Sequence, residues 1–329
     1  MMDDVWVNKA INEASAALLI HRESNSVAVD AAGKLKWASW DQVRLMADMG
    51  MAPDTILLGR RKVDAMPPSF LNARYSKLAQ NTWCLGSAVD RDRALEVLGG
   101  GAQFVALRAA VGTLTAAEAA MAGQARQLLH WHLSHRFCGS CGGSTSLTTA
   151  GWKRRCTSCG RDHFPRTDPV VIAAILSPDG QRCLVGRQST WPAGRVSCLA
   201  GFMDAGETLE EAVRREVREE AGVDVGAVIY HSSQPWPNGP SPQLMLGAVG
   251  LATSEELVVD TQELESARWL DLAEIAPALE RSRHARDGTP NSTSNESGKL
   301  VLPEPVAIAH QLLATCAHMH RQYAVAIQR

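Results

Sequence analysis

The segment from Gly201 to Val223 constrains this chain most, because it places three carboxylates at helical spacing directly after a glycine-framed loop. Thr208 and Glu211 form the pattern of a capping box. The segment is therefore predicted to contain a helix that begins at about Leu209 and stops at Gly222.

The three carboxylates of this helix are predicted to lie on one side of it. At about 100° per residue, Glu216 and Glu220 fall at the rim of the buried face, and Glu219 lies one step round. Like charges packed this closely repel one another unless cations neutralise them, and hard divalent ions such as Mg²⁺ or Mn²⁺ prefer oxygen ligands. Arg215 is predicted to hold Glu219 or Glu207. The alternative is an ordinary charged surface helix.

The whole segment resembles the Nudix box, G-x5-E-x7-R-E-U-x-E-E-x-G-U, in which U is a bulky aliphatic residue. Every defined position is filled, by Gly201, Glu207, Arg215, Glu216, Val217, Glu219, Glu220, Gly222 and Val223. The resemblance implies an enzyme that hydrolyses a nucleoside diphosphate linked to another moiety. Its catalytic residues would be Glu216, Glu219 and Glu220, which carry Mg²⁺ or Mn²⁺, together with Arg215 and Glu207.

Two further positions are implied as metal ligands by the same resemblance. Glu263 aligns with a downstream glutamate that completes the metal shell, and Glu265 is the neighbour with which it could be confused. On local sequence alone, a surface carboxylate is an equal alternative for Glu263. A backbone carbonyl near Ala200 is also expected to face the metal.

Four cysteines form a second metal pattern, C-x2-C-x14-C-x2-C, at Cys138, Cys141, Cys156 and Cys159. Four thiolates suit tetrahedral Zn²⁺ and leave no position for water, so the predicted zinc site is structural. The alternatives are a redox CxxC pair or unconnected thiols. The segment is locally basic, but no stacking aromatics are interleaved with the charges, which favours a solvated surface over nucleic-acid binding.

Two motifs narrow the resemblance to the NADH pyrophosphatase branch of Nudix hydrolases. Residues 163–169, HFPRTDP, resemble the Y-P-R-x-D-P linker of that branch, and residues 233–237 match its S-Q-P-W-P motif. The segment after residue 237 departs from the branch: it is two residues longer than the usual segment and lacks its phenylalanine. The resemblance implies hydrolysis of NADH, and more slowly of NAD⁺, to a nicotinamide mononucleotide and AMP. It also implies a homodimer, and in some members the removal of NAD caps from RNA.

Substrate-binding residues are implied by the same branch. Phe164 and Phe202 match aromatic positions that flank the bound base or nicotinamide, and stacking suits such rings. Gln234 is a candidate to read an amide or a ring edge, and Ala200 lies beside the box glycine. Trp236 either contacts the substrate or stiffens a turn between two prolines. Core filling is the alternative for the aromatic residues.

The chain is long enough for several domains, with 329 residues of which 45% are apolar. The fold class is predicted to be α/β: a Nudix α/β/α sandwich with a mixed sheet, preceded by a four-cysteine zinc ribbon and an α+β N-terminal domain. No internal repeat is evident. The predicted boundaries are 1–113 for the N-terminal domain, 114–135 for a connecting helix, 136–166 for the ribbon and 167–329 for the Nudix domain.

Composition argues for a cytoplasmic protein without membrane contact. The net charge of −2 excludes a global field that recruits nucleic acid. The N-terminus has no apolar core of signal-peptide length, and no run of about 18 apolar residues appears in the sequence. Eight cysteines are expected to be thiols or metal ligands.

Three alternatives to an NADH pyrophosphatase remain open. The first is a Nudix hydrolase for another nucleotide, such as ADP-ribose or FAD. The second is a non-enzymatic regulator, in which the ribbon binds nucleic acid and the Nudix domain senses a ligand. The third is an RNA decapping enzyme that shares the chemistry.

Overall fold

The computed structural model describes residues 16–21, 26–48, 55–60, 83–89, 91–237, 241–284 and 300–327. The chain divides into two compact units. The first comprises residues 1–167 with 236–242, and the second comprises residues 168–235 with 243–329. Residues 281–284 are helical, and residues 285–299 lie outside the described part of the chain.

In its described residues, the first unit opens with a six-stranded sheet and three helices. Its elements are β1 (Ala16–His21), β2 (Val27–Val29), β3 (Trp37–Ser39), α1 (Trp40–Asp48), β4 (Thr55–Arg60), β5 (Trp83–Val89), α2 (Arg91–Leu98), β6 (Gln103–Val105) and α3 (Leu107–Ala110). The strand order is β4-β5-β1-β2-β6, and β3 pairs with β1.

A long helix and a small sheet complete this unit. Helix α4 (Ala116–Ser134) begins at a capping box in which Thr115 and Glu118 bond reciprocally. The predicted connecting helix therefore forms. It leads into a three-stranded antiparallel sheet of β7 (Thr145–Thr148), β8 (Lys153–Cys156) and β9 (Asp162–His163).

The second unit is a mixed sheet between helices. Its elements are β10 (Asp168–Leu176), β11 (Arg182–Arg187), β12 (Leu199–Phe202), α5 (Leu209–Ala221), β13 (Val225–Trp236), β14 (Gln243–Ala252), β15 (Ser266–Asp271), α6 (Leu272–His284) and α7 (Ile308–Ile327). The order is β13-β14-β10-β11-β15, and β12 pairs with β10. The central strand β10 is buried along most of its length, which explains its near-continuous apolar sequence.

Helices cover both faces of this sheet. Ala212, Val213 and Val217 of α5 share a buried core with residues of β10 and β14, among them Ala248. The neighbouring Gly247 points the other way, where Ile308 of α7 lies so close that a Cβ would be 2.7 Å from its side chain. The predicted α/β fold is confirmed: a sandwich with a mixed sheet, preceded along the chain by a four-cysteine ribbon and an α+β domain.

The strand pairing of the second unit repeats that of the first. In the first unit, β1 runs parallel to β5 and antiparallel to β2 and β3, while β2 pairs with β6. In the second, β10 runs parallel to β14 and antiparallel to β11 and β12, while β11 pairs with β15. The sequence expectation of no repeat is therefore wrong for the topology. The repeat escapes notice because α1, which follows β3 as α5 follows β12, carries none of the box glutamates.

Two local expectations differ from the structure. Strand β13 extends to Trp236, so the S-Q-P-W residues lie in a strand and not in a turn. Gly201 lies within β12, one residue before its end. In the described part of the chain, every helix is too short or too polar to cross a bilayer.

Candidate active site and zinc ribbon

Helix α5 is fixed at both ends. Its N-terminus carries the predicted capping box, in which the Glu211 N–H donates to Thr208 Oγ1 at 3.2 Å and Glu211 Oε2 accepts from the Thr208 N–H at 2.8 Å. At the C-terminus, Gly222 adopts φ +73°, a left-handed conformation that suits glycine. The helix boundaries predicted from the sequence are confirmed, and the register of the glutamates is therefore set.

Gly201 is required by the close approach of Glu216. A Cβ at this position of β12 would overlap the Glu216 carboxylate. The acidic group therefore lies directly against the strand backbone, next to Ala200. Any larger residue at Gly201 would displace it.

Arg215 joins the loop to the helix. Its Nε and Nη2 donate to the two carboxylate oxygens of Glu207 at 2.6 and 2.9 Å, and Nη1 donates to Glu216 at 2.8 Å and to Glu219 at 3.0 Å. Nη2 also donates to the carbonyl of Phe202 at 2.8 Å. The hydrogen bonds from Arg215 hold the pKa of Glu207 at about 2, well below its usual value. Both partners considered for Arg215 in the sequence are thus engaged.

Glu220 is the most perturbed of the box acids. Burial, and then repulsion from Glu216, Glu263 and Glu219, raises its pKa to about 8. Its Oε2 is buried and has no hydrogen-bond partner in the described residues. Burial also raises the pKa of Glu216, against the opposing effect of Arg215.

These acids fit a divalent cation. A buried carboxylate without a partner is costly, and a hard cation would relieve both its desolvation and the repulsion among its neighbours. The carboxylates are more widely spaced than the ribbon thiols: across the described residues, the cysteine set alone gathers three or more ligand atoms within 4.8 Å. Arg215 bonds two of these acids, Glu216 and Glu219, through the same nitrogen.

Glu263 and Glu265 have different surroundings. Repulsion from Glu263 contributes to the raised pKa of both Glu216 and Glu220, so its carboxylate lies near the box acids. Glu265 forms an ion pair with Arg187, with Oε2 at 2.5 Å from Nε. Sequence reasoning did not single out Arg187, because the pairing joins positions on β11 and before β15 that share no local pattern.

The candidate substrate residues are dispersed. Phe164 follows β9 in the first unit and is 67% exposed, whereas Phe202 ends β12 in the second unit and is 50% exposed. Exposure at both positions argues against core filling. Trp236, the last residue of β13, is partly buried. Ala200 is partly buried within β12.

Gln234 is bound to the start of helix α7. Its Nε2 donates to the carbonyl of Val306 at 2.8 Å, and its Oε1 accepts from the N–H of Ile308 at 2.8 Å. The amide therefore caps this helix. Substrate reading by Gln234 stays a prediction, and it would have to use the remaining hydrogen-bonding capacity of the amide.

The four ribbon cysteines converge. Their Sγ atoms all lie within 4.8 Å of one another, with 3.8 Å between Cys138 and Cys159 and 3.5 Å between Cys141 and Cys156. A tetrahedron with Zn–S bonds of about 2.3 Å has edges of about 3.8 Å, so the set fits zinc. The N–H of Cys159 donates to Cys156 Sγ at 3.4 Å and lowers the pKa of that thiol to about 6.

Histidine and arginine near the ribbon serve packing. Arg154 is buried and donates to Thr145 Oγ1 and to His132 Nδ1, at 2.7 and 3.1 Å. His132 Nε2 lies 2.7 Å from the Gly151 carbonyl. One charge of the basic segment is therefore internal and connects the ribbon hairpin to helix α4.

Three protein-family models match successive parts of the chain between residues 16 and 289. Residues 166–289 match the NUDIX domain, residues 133–164 match the NADH pyrophosphatase zinc ribbon domain, and residues 16–131 match the NADH pyrophosphatase-like rudimentary NUDIX domain. The last match agrees with the repeated strand topology.

Several curated relatives are similar over the same region. Nudix hydrolase 19, chloroplastic, of Arabidopsis thaliana is 44% identical over 60% of this chain and 51% of its own length. The NAD-capped RNA hydrolase NUDT12 of Homo sapiens is 42% identical over 60% of this chain and 41% of its own. The NAD(P)H pyrophosphatase NUDT13, mitochondrial, of Homo sapiens is 41% identical over 64% of this chain and 58% of its own.

The chain thus spans about half the length of the curated relatives it matches. The three domain matches follow one another along the chain in an order that joins a rudimentary Nudix domain, a zinc ribbon and a complete Nudix box. Residues 166–289 of the chain are therefore a Nudix domain, and they follow a zinc ribbon and a rudimentary domain that both match models of NADH pyrophosphatases.

Proposed function

We propose that this chain is a Nudix pyrophosphohydrolase that cleaves NADH and NAD⁺ to a nicotinamide mononucleotide and AMP. The observation that carries the proposal is the buried carboxylate of Glu220, whose Oε2 has no hydrogen-bond partner among the described residues, beside three further acids and within an intact Nudix box. A domain that only sensed a ligand would not need this costly arrangement.

Glu216, Glu219, Glu220 and Glu263 would hold the metal, with the carbonyl of Ala200 beside them. We propose Mg²⁺ or Mn²⁺, because the donors are all oxygen. When bound, such cations neutralise the pyrophosphate charge and lower the pKa of water. Arg215 has a structural role that does not require the cation. Its bonds to Glu207 and Phe202 fix the loop after β12 against helix α5.

The aromatic residues suit the two ring systems of a dinucleotide. Phe202 is exposed at the end of the strand that carries Gly201, next to the acids, where a planar ring can stack. We assign Phe164, Trp236 and Gln234 to substrate binding as well, on the motifs that contain them. Zinc at the four cysteines would be structural, since no ligand position remains open.

Names of relatives support a second substrate. Curated relatives include NAD-capped RNA hydrolases of Homo sapiens and Schizosaccharomyces pombe, the latter 37% identical over 62% of this chain and 56% of its own length. NAD-capped RNA presents the same pyrophosphate, so the proposed chemistry extends to it without a further catalytic group.

A substrate panel tests the proposal. NADH, NAD⁺, NAD-capped RNA, ADP-ribose and FAD are compared by kcat/KM with Mn²⁺ in excess. We expect NADH or NAD-capped RNA to rank first and the products to be mononucleotides. A preference of tenfold or more for ADP-ribose or FAD would assign the site to another nucleotide, and cleavage of none of the five would favour a ligand sensor.

Organisation and location complete the proposal. We propose the domain limits 1–113, 114–135, 136–166 and 167–329, a homodimer, and a cytoplasmic location, the last because the described cysteines form no disulfides. Light scattering measures the oligomeric state, and cell fractionation measures the location. A monomer, or recovery from an organelle fraction, would contradict these two assignments.

A further inference from the structure

The turn that carries Glu263 is attached to the end of helix α5. The Asp260 N–H donates to the backbone carbonyl of Glu220 at 3.1 Å, and the Asp260 carbonyl accepts from the N–H groups of Glu263 and Leu264 at 3.2 and 2.9 Å. The backbone of the turn is thus bonded directly to the residue whose side chain has the raised pKa. This contact holds one side of the turn.

Residues on β11 hold its other side. The Glu265 N–H donates to the carbonyl of Arg187 at 2.8 Å, and the Glu265 carboxylate pairs with Arg187 Nε at 2.5 Å. Between them, Leu264 packs on Gly186, where a Cβ would lie 3.1 Å from the leucine side chain. Glu263 therefore stands in a turn that is anchored before and after it.

Arg187 has a second set of partners. Its Nη1 donates to the carbonyl of Pro192 at 2.6 Å, and its Nη2 donates to the carbonyl of Trp191 at 2.7 Å. All three nitrogens of the guanidinium are engaged, and the planar group is held by three acceptors. This geometry limits the movement of Glu265, and through it that of the turn.

We propose that the Arg187–Glu265 ion pair is a positioning pair, which sets Glu263 against Glu216 and Glu220 and thereby sets the affinity of the site for a divalent cation. The inference rests on the proposed metal-binding role of Glu263. It divides the two neighbouring glutamates into a ligand, Glu263, and a residue that orients it, Glu265. Mutation of a group that orients a metal ligand typically lowers the affinity for the metal by about 10–100-fold.

Mn²⁺ binding measured without substrate tests the pair. The zinc-loaded full chain is titrated with Mn²⁺, and free Mn²⁺ is counted by electron paramagnetic resonance. We expect Arg187→Gln and Glu265→Gln each to raise the dissociation constant about tenfold. The double variant should show about the same tenfold loss, because both changes remove one interaction.

Arg187→Gln separates positioning from simple electrostatics. If Arg187 acted only through its charge, its removal would reduce the repulsion of the cation and tighten Mn²⁺ binding. Arg187→Lys retains the charge but cannot bond three acceptors in a fork, so it should also weaken binding. The control is Arg182→Gln, at the other end of the same strand. It breaks the Arg182–Glu255 ion pair of 2.8 Å and should leave the dissociation constant for Mn²⁺ within about twofold of the wild-type value.

The outcomes are distinguishable. Unchanged or tighter Mn²⁺ binding by Arg187→Gln and Arg187→Lys would overturn the inference. If Glu263→Gln also binds Mn²⁺ as the wild type does, the proposed metal set fails, and the positioning pair fails with it. If Arg187→Gln does not fold, as judged by circular dichroism, the milder Arg187→Lys decides the matter.

Discussion

Arg215 bonds both carboxylate oxygens of Glu207, at 2.6 and 2.9 Å, across eight residues of sequence. This bidentate contact ties the loop after β12 to the middle of helix α5. The same guanidinium bonds Glu216 and Glu219, so the loop and two candidate metal ligands share one cation. The site is thus preorganised by a residue that need not touch the substrate.

Arg215→Lys should therefore impair the site although it keeps the charge. Lysine cannot reproduce the fork that holds Glu207, so we expect kcat to fall by tenfold or more and the melting temperature to fall by a few degrees. Steady-state kinetics and thermal unfolding measure both effects. The matched control is Arg214→Lys on the exposed side of the helix, and equal behaviour of the two variants would contradict the role of Arg215.

Glu220 should make stability depend on pH when Mg²⁺ and Mn²⁺ are absent. The pKa of Glu220 is raised to about 8 in the folded state, whereas its pKa in the unfolded chain is about 4.3. The contribution of the protonated group is fully present below the unfolded pKa and is lost as pH rises through about 8. The free energy of unfolding of the wild type should therefore fall over this range relative to Glu220→Gln, which cannot titrate.

Denaturant unfolding of the zinc-loaded protein at several pH values measures this difference. Added Mn²⁺ should abolish it, because cation binding displaces the proton. Parallel pH profiles for the wild type and Glu220→Gln would show that Glu220 is not perturbed.

Zinc removal should lower thermal stability before it affects chemistry. The four thiolates form a closed set in the ribbon, and a loss of about 3 kcal/mol would lower the melting temperature by roughly 6–12 °C in a domain of about 150–250 residues. Melting temperature and turnover are measured together across a chelator titration, with Mn²⁺ in excess. Loss of turnover at an unchanged melting temperature would count against a structural zinc.

Substitution of Gln234 should affect the hydrolysis of all dinucleotides equally if the main role of this residue is to cap helix α7. Gln234→Leu removes both bonds to the backbone of Val306 and Ile308, at an expected cost of about 1–3 kcal/mol. Substrates with and without a nicotinamide amide should lose kcat/KM equally, with Ser233→Ala on the same strand as the control. A loss confined to substrates that carry the amide would instead assign Gln234 to substrate reading.

The sequence predicts this protein best where chemistry is local. The capping box at Thr208 and the left-handed Gly222 depend on neighbours within a few residues, and the structure contains both. The ribbon spacing likewise predicts a set of thiols that converge. Such features need no knowledge of tertiary packing.

Long-range contacts were beyond the sequence. Glu263 and Glu265 cannot be told apart from the local sequence. In the structure their surroundings differ, because Arg187 of β11 forms an ion pair with Glu265. A turn was one expectation for Trp236, but strand β13 extends to this residue, and Gln234 of the same strand bonds the start of α7. The Nudix topology of the N-terminal sheet was missed because it depends on strand pairing and not on residue identity.

The central claim is that the box glutamates hold cations against a pyrophosphate, and product analysis of NADH hydrolysis in ¹⁸O-enriched water with Mn²⁺ tests it most directly. We predict a reduced nicotinamide mononucleotide and AMP, with one ¹⁸O incorporated per turnover. Without Mn²⁺, and in Glu219→Gln and Glu220→Gln, turnover should fall by about 10³-fold, as loss of several kcal/mol of stabilisation requires, while Glu210→Gln on the same helix stays active. Undiminished cleavage by Glu219→Gln and Glu220→Gln, or no cleavage of NADH by the wild type, would contradict the account.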